Sequence, residues 1–159
     1  MRGRGFTMVE LMVVIGVVAI LALMALPSYQ AKFVRDQIVE ALPLADIAKP
    51  PIAASWALLQ SFPADNAAAG LPVADKIVNN YVSSVSVQGG AIHITFGNRA
   101  NKVIAGKILT LRPAVVEDAP IVPVTWVCGF AAQPGKMTIK GENKTDVSAK
   151  YLPLRCRSG

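Results

Sequence analysis

Histidine and cysteine are scarce in this chain of 159 residues. It has a single histidine, His93, and two cysteines, Cys128 and Cys156. A zinc or redox site needs several His or Cys ligands or a C-x-x-C pair, and neither pattern occurs, so we expect no metal and no cofactor. No activated nucleophile and no paired carboxylates stand out either. These absences predict that the protein is not an enzyme.

Charge is almost absent from the first part of the chain. Between Phe6 and Leu26 the one ionisable side chain is Glu10. As a helix, this run would span roughly 30 Å, the thickness of the hydrocarbon core of a bilayer. Arg2 and Arg4 precede it, which predicts that this end stays cytoplasmic and that the rest is exported. A clean A-x-A cleavage site after the run is also lacking, which favours a retained anchor over a secretory signal.

The exported part has the pattern of one α+β domain. In such a compartment the two cysteines are expected to form a disulfide, Cys128 to Cys156. An amphipathic helix is predicted after the anchor, and its prolines should kink or split it. Its apolar stripe consists of Tyr29, Phe33, Ile38, Ala41, Leu42, Ala45 and Ala48. The prolines are Pro27, Pro43, Pro50 and Pro51, of which Pro51 suits the first turn of a restarted helix.

Beyond a connecting region at residues 61–80, the apolar period changes from 3.6 to 2. Gly89 and Gly90 suit a hairpin turn. Strands are predicted at residues 84–87, 91–96, 107–116 and 124–129. Consecutive strands joined by short turns favour an antiparallel meander, and the amphipathic helix is the element available to cover its apolar face.

The run GFTMVELMVVIGVVAILALMALPSY, residues 5–29, resembles the N-terminus of type IV pilins. The matching features are a short basic leader ending at Gly5, then Phe6, Thr7, Glu10, an apolar segment, Pro27 and Tyr29. The motifs TWVCG and KYLPLRC, with Cys128 and Cys156, are similar to those that bound the C-terminal loop of type IVa pilins. The resemblance implies a long N-terminal helix packed on a four-stranded antiparallel sheet with a disulfide-bounded C-terminal loop.

The resemblance also implies how the chain is processed and assembled. A prepilin peptidase would cut between Gly5 and Phe6 and methylate the new α-amine of Phe6. Glu10 is then expected to meet that amine of a neighbouring subunit, with Thr7 and Pro27 also serving assembly. The implied parts are a cleaved leader at 1–5, a transmembrane and filament-core helix at 6–27, an amphipathic helix kinked at prolines at 28–60, and the αβ loop, sheet and C-terminal region at 61–159.

The function implied is that of a structural subunit of a type IV pilus used in twitching motility, adhesion or DNA uptake. Its partners would be further copies of itself in a helical filament, the peptidase, an inner-membrane assembly platform and minor pilins. The precursor would lie in the inner membrane and the assembled subunit in an extracellular filament.

Two alternatives remain open. The first is a minor pilin that binds DNA in natural transformation. The net charge is +6, and basic residues surround the C-terminal loop, namely Lys136, Lys140, Lys144, Lys150, Arg155 and Arg157. The second is a type II secretion pseudopilin. Many of those bind calcium in the C-terminal region, for which Glu142 and Asp146 alone offer few ligands.

Overall fold

The computed structural model describes residues 5–158, except for the side chains of residues 26–28. The described helices and strands, in chain order, are α1 Met8–Ala45, α2 Lys49–Leu59, β1 Val82–Gln88, β2 Ala91–Phe96, β3 Ile108–Val115, β4 Thr125–Cys128 and β5 Thr138–Ile139. Short 3-10 turns lie at Ala74–Lys76 and Leu154–Cys156. The chain divides into two compact units, Met1–Phe33 and Val34–Gly159.

The described part of the first unit is a helix with an apolar surface on all sides. Its large side chains from Phe6 to Met24 are exposed, including those of Val9, Leu11 and Ile15. A helix that is apolar all round requires an apolar environment, either lipid or other helices. Among the described residues, α1 is the one helix long and apolar enough to cross a membrane.

The second unit begins where α1 acquires one buried face. Its buried positions recur every three or four residues, at Val34, Ile38, Ala41, Leu42 and Ala45. The predicted stripe is correct from Ile38 onwards. Its first two members are wrong, because Tyr29 and Phe33 are 73% and 51% exposed. Val34, which was not predicted, is the first helical residue that the core buries.

The break between α1 and α2 lies just ahead of Pro50 and Pro51. Asp46 N–H and Ala48 N–H bond to carbonyls three residues back, which closes the last turn of α1 tightly. The two prolines fall in the first turn of α2, where a missing amide hydrogen costs no helical bond. Pro43, by contrast, lies within the last turn of α1, so the helix is not split there.

The four predicted strands form an antiparallel sheet in the order β1-β2-β3-β4, and β5 adds a short pairing with β3. The register aligns Val85 with Ile94, and Ile94 with Leu109. These apolar residues share one face, and the Val34–Ala45 part of α1 packs on it. The strand residues in this core are Val82, Val85, Val87, Ile92, Ile94, Phe96, Leu109, Leu111 and Cys128.

The second face of the sheet is covered by the C-terminal segment at residues 141–147. On this face His93 is 2% exposed and Thr110 is fully buried. The backbone N–H of Lys144 donates to Thr110 Oγ1 at 3.1 Å, and the Asn143 amide donates to Gly129 O at 2.9 Å. The segment contains few apolar residues, so polar contacts as well as the disulfide hold it on the sheet.

The outer edge of β1 is protected by one side chain. Asn66 Oδ1 accepts the N–H of Val87 at 2.6 Å, and Asn66 Nδ2 donates to the carbonyl of Val85 at 3.0 Å. The side-chain amide thus satisfies one donor and one acceptor of the edge strand. An occupied edge of this kind does not offer a template for pairing with another chain.

Candidate assembly site

Gly5 and Phe6 lie outside any helix or strand just ahead of α1, and both are exposed. A Cβ added at Gly5 would meet no atom within 4 Å, so the backbone is open on this side. Phe6 is 79% exposed. The predicted cleavage bond therefore lies in an accessible, non-helical segment, the conformation in which a protease can approach a backbone. The leader residues Arg2 and Arg4 lie outside the described residues.

Thr7 and Glu10 bind each other at the start of α1. Glu10 N–H donates to Thr7 Oγ1 at 3.2 Å, and Thr7 N–H and Oγ1 each lie 3.4 Å from Glu10 Oε2. This is a capping box, in which an N-cap hydroxyl and an acid three residues later each satisfy a free backbone amide. The spacing T-x-x-E at residues 7–10 signals this motif, although it was not among the predicted features.

The carboxylate of Glu10 has no ion-pair partner within residues 5–158. Both contacts of the capping box use Oε2, which leaves Oε1 for a second partner. The side chains around it are apolar and exposed, among them Phe6, Val9 and Val14. Pro27, the other predicted assembly residue, has a helical backbone, but its side chain lies outside the described part.

Cys128 and Cys156 form the predicted disulfide. Both cysteines are buried, and Cys156 belongs to the core of the second unit. Phe130 N–H donates to the Cys156 carbonyl at 2.9 Å, so a backbone bond accompanies the covalent one. The link joins the end of β4 to the last turn of the chain.

The six basic residues predicted as a surface separate into distinct groups. Lys140 pairs with Glu117, and Lys144 lies 3.9 Å from Glu142 and also bonds to Gln88. The other four form no ion pair among the described residues, and these are Lys136, Lys150, Arg155 and Arg157.

Arg35 of α1 meets one of these cations, Arg157, at the backbone carbonyl of Lys150. Arg35 Nη2 and Arg157 Nη2 each donate to the carbonyl of Lys150 at 3.1 Å. Arg157 Nε also donates to Leu152 O at 2.8 Å, whereas the buried Arg35 Nε has no hydrogen-bond partner in the described part. Two guanidinium groups therefore meet at one carbonyl with no acid between them. No sequence pattern links residues so far apart, so this cluster was not predictable.

His93 is buried beside Thr110, with 2.9 Å between Nδ1 and Oγ1, and its Nε2 has no partner among the described residues. Burial lowers the pKa of His93 below its ordinary 6.5, the Lys144 ammonium lowers it further, and Glu142 opposes the shift. The ring therefore favours the neutral form. Across residues 5–158, no three His, Cys, Asp or Glu side chains come together as a metal site would require.

Comparison with known proteins supplies family matches to both parts of the chain. A family described as pilin, a bacterial filament protein, matches residues 34–157, and the prokaryotic N-terminal methylation motif matches residues 1–26. The type IV major pilin protein PilE of Neisseria gonorrhoeae is 36% identical, over 97% of this chain and 93% of that protein. The fimbrial protein EcpC of Eikenella corrodens is 34% identical, over 98% of this chain and 91% of its own length.

Proposed function

Because the chain belongs to the pilin family, we propose that it is a structural subunit of a type IV pilus, polymerising through its N-terminal helix into an extracellular filament. The filament would serve twitching motility, adhesion or DNA uptake. A structural role also agrees with relatives named pilins and fimbrial proteins, which favour a pilus over a type II secretion system.

The exposed apolar surface of the first unit carries this proposal. A surface of this size does not persist in water, because each buried Val, Leu, Ile or Met side chain contributes about 1.5–3 kcal/mol. The bilayer would cover it in the precursor, and the helices of other subunits would cover it in the filament. The same residues thus serve first as an anchor in the inner membrane and then as a filament core.

The Glu10 carboxylate would be tolerated near the interface of the bilayer, but in the filament core it would need a cation as a partner. A carboxylate at a bilayer centre costs about 2.5–3.5 kcal/mol on insertion scales, and less near the interface, where its place four residues after Phe6 would put it. Cleavage after Gly5 would remove Arg2 and Arg4 and create an α-ammonium on Phe6. In a filament core that lacks water, Glu10 of one subunit and this amine of another would form an ion pair that fixes the axial register.

Replacement of Glu10 tests the proposal. Full-length Glu10→Ala should be processed and held in the membrane but give few sheared filaments, because the amine would remain unpaired in the core. Glu40→Ala is the matched control, since Glu40 is an exposed acid on the same helix with no ion-pair partner in the described chain. Normal filament yield from Glu10→Ala would contradict the assigned role of Glu10.

We propose DNA binding as a second candidate function, supported by the cluster of Arg35, Lys150 and Arg157. Its two guanidinium groups lie side by side and meet no acid in the described chain, so a phosphate would neutralise charges that repel each other. The paired Lys140 and Lys144 are weaker candidates, because their acids must first be displaced.

A salt titration tests this candidate on purified filaments. We expect Arg157→Ala to weaken duplex binding and to lower the slope of log affinity against log salt by about 0.9 for each phosphate that Arg157 neutralises. Lys140→Ala is the control and should change both quantities less, because Lys140 pairs with Glu117. Absence of any gel shift at low salt with the unaltered filament would exclude DNA as a ligand.

A further inference from the structure

A cleft of about 320 Å³ opens between α1 and the end of the sheet. Apolar residues line part of it, namely Val39, Leu42 and Pro43 from α1, Leu111 from β3 and Cys128 from β4, and charged residues line the rest. A water molecule takes about 30 Å³ in the liquid, so the cleft is large enough to admit a side chain of another molecule.

The rim of the cleft carries one free positive charge. Lys49 and Asp46 lie at the rim and bind each other at 2.6 Å, so their charges cancel. Arg155 also lines the cleft, is exposed, and forms no ion pair within residues 5–158. An occupant with an apolar tip and an adjacent acid would complement the cleft in both shape and charge.

The loop between β3 and β4, residues 116–124, has these two properties. Ile121 at its tip is 91% exposed, more than any other large apolar side chain in the described part of the chain. Asp118, three residues earlier, is exposed and has no ion-pair partner among the described residues. Removal of an isoleucine side chain from water is favourable, so covering Ile121 would favour docking.

Backbone hydrogen bonds and prolines constrain the loop. Ala119 N–H bonds to Val116 O at 3.2 Å, and Val122 N–H bonds to Ala119 O at 3.0 Å. Pro120 and Pro123 flank Ile121 and fix the backbone φ angle on either side. Little conformational entropy would be lost on docking, because the tip is already ordered.

We propose that Ile121 of one copy inserts into the cleft of a second copy, with Asp118 of the loop facing Arg155 of the rim. The loop precedes β4 and the cleft lies at the end of β4, so two different surfaces meet. A head-to-tail contact whose rotation does not close a ring generates an open helical array, as a filament requires. This proposal rests on the proposed filament function. It adds a contact between the folded units of two copies to the packing of their N-terminal helices.

Cross-linking between copies tests the contact in full-length subunits. Ile121→Cys and Val39→Cys are placed in separate, co-expressed chains, so that a new disulfide joins two copies. Sheared filaments should yield a reducible dimer about tenfold above the control, because a docked pair is held at an effective concentration far above that of chance encounters. The control pairs Val39→Cys with Leu58→Cys instead of Ile121→Cys. Leu58 is 82% exposed and Ile121 is 91% exposed, so the two cysteines would be similarly accessible.

A charge exchange gives a second measurement that needs no added cysteine. Asp118→Arg alone and Arg155→Asp alone should each lower filament yield about tenfold, and the two substitutions in one chain should restore it. Filaments that form without a cross-link above the control, or an exchange that does not restore the yield, would overturn the contact and leave the proposed function intact. Absence of filaments from the unaltered chain would overturn both.

Discussion

Glu10 has one contact within its own chain and one proposed contact in the filament, and the two require different chemistry. Within one chain it accepts hydrogen bonds from Thr7 and closes the capping box of α1. This role needs an oxygen acceptor but no charge. The proposed contact with the α-ammonium of Phe6 in another subunit needs a negative charge, because a neutral acceptor leaves that cation without compensation in the filament core.

Glu10→Gln separates the two roles. A glutamine keeps the acceptor of the capping box, so the start of α1 should remain ordered. It lacks the charge, so filament yield should fall as far as in Glu10→Ala. The helix content of the detergent-solubilised full chain, measured by circular dichroism, and the yield of sheared filaments report the two effects. Normal filaments from Glu10→Gln would assign Glu10 to helix capping alone.

His93 is the residue that should give the folded unit its pH dependence near neutrality. Burial and Lys144 lower its pKa from 6.5, so the unfolded chain binds more protons than the folded one below that value. The free energy of unfolding should therefore be unaffected above about pH 6.5 and should fall as the pH drops below it, by up to about 1.4 kcal/mol per pH unit.

Comparison with His93→Gln isolates this effect. Glutamine retains a hydrogen-bonding group for Thr110 but does not titrate, and all carboxylates are common to the two proteins. The free energy of unfolding is measured by denaturant for both detergent-solubilised full chains at pH 7.5 and 5.5. Between these two pH values it should fall further for the unaltered chain than for His93→Gln. Equal losses would contradict the assignment of a lowered pKa to His93.

At the scale of elements, the edge strand β1 depends on Asn66. Loss of its side-chain amide in Asn66→Ala would leave Val87 N–H and Val85 O without their partner. An unsatisfied buried backbone group costs about 1–3 kcal/mol, so we expect a destabilisation of that size in denaturant unfolding. Asn80→Ala, at an exposed asparagine, is the control and should change stability by less than about 0.5 kcal/mol. Equal effects of the two substitutions would contradict the role of Asn66.

Periodic elements were predictable from the sequence, and elements held by polar contacts were not. The four main strands follow the alternation of apolar and polar residues, and the burial of α1 from Ile38 onwards follows apolar residues three or four positions apart. The segment at residues 141–147 that covers His93 could not be predicted. It is held on the sheet by hydrogen bonds, and these impose no apolar period on the sequence. The two-residue strand β5 is too short to show alternation at all.

The candidate assembly site was predictable in part for a similar reason. Gly5, Phe6, Thr7 and Glu10 form a motif of fixed spacing, so the sequence alone identifies them. The meeting of Arg35 with Arg157 at Lys150 O depends on tertiary packing between residues far apart in sequence. The cleft beside Arg155 and the exposed Ile121 likewise become visible only once the fold is known.

At the scale of the whole molecule, the chain combines two kinds of surface. The first unit exposes apolar side chains with a single acid, whereas the second has its own core, protected β1 edge and disulfide. A water-soluble monomer would not need an exposed apolar helix. In the proposed filament subunit the helix would supply cohesion, and cleavage after Gly5 would supply the cation for Glu10.

The most direct test of this account is the mass and N-terminus of the chain in sheared extracellular filaments. We expect the chain to be a component of those filaments, to lack residues 1–5 and to begin at an N-methylated Phe6. Filaments that contain none of this chain, or a filament-bound chain that retains its leader, would contradict the account.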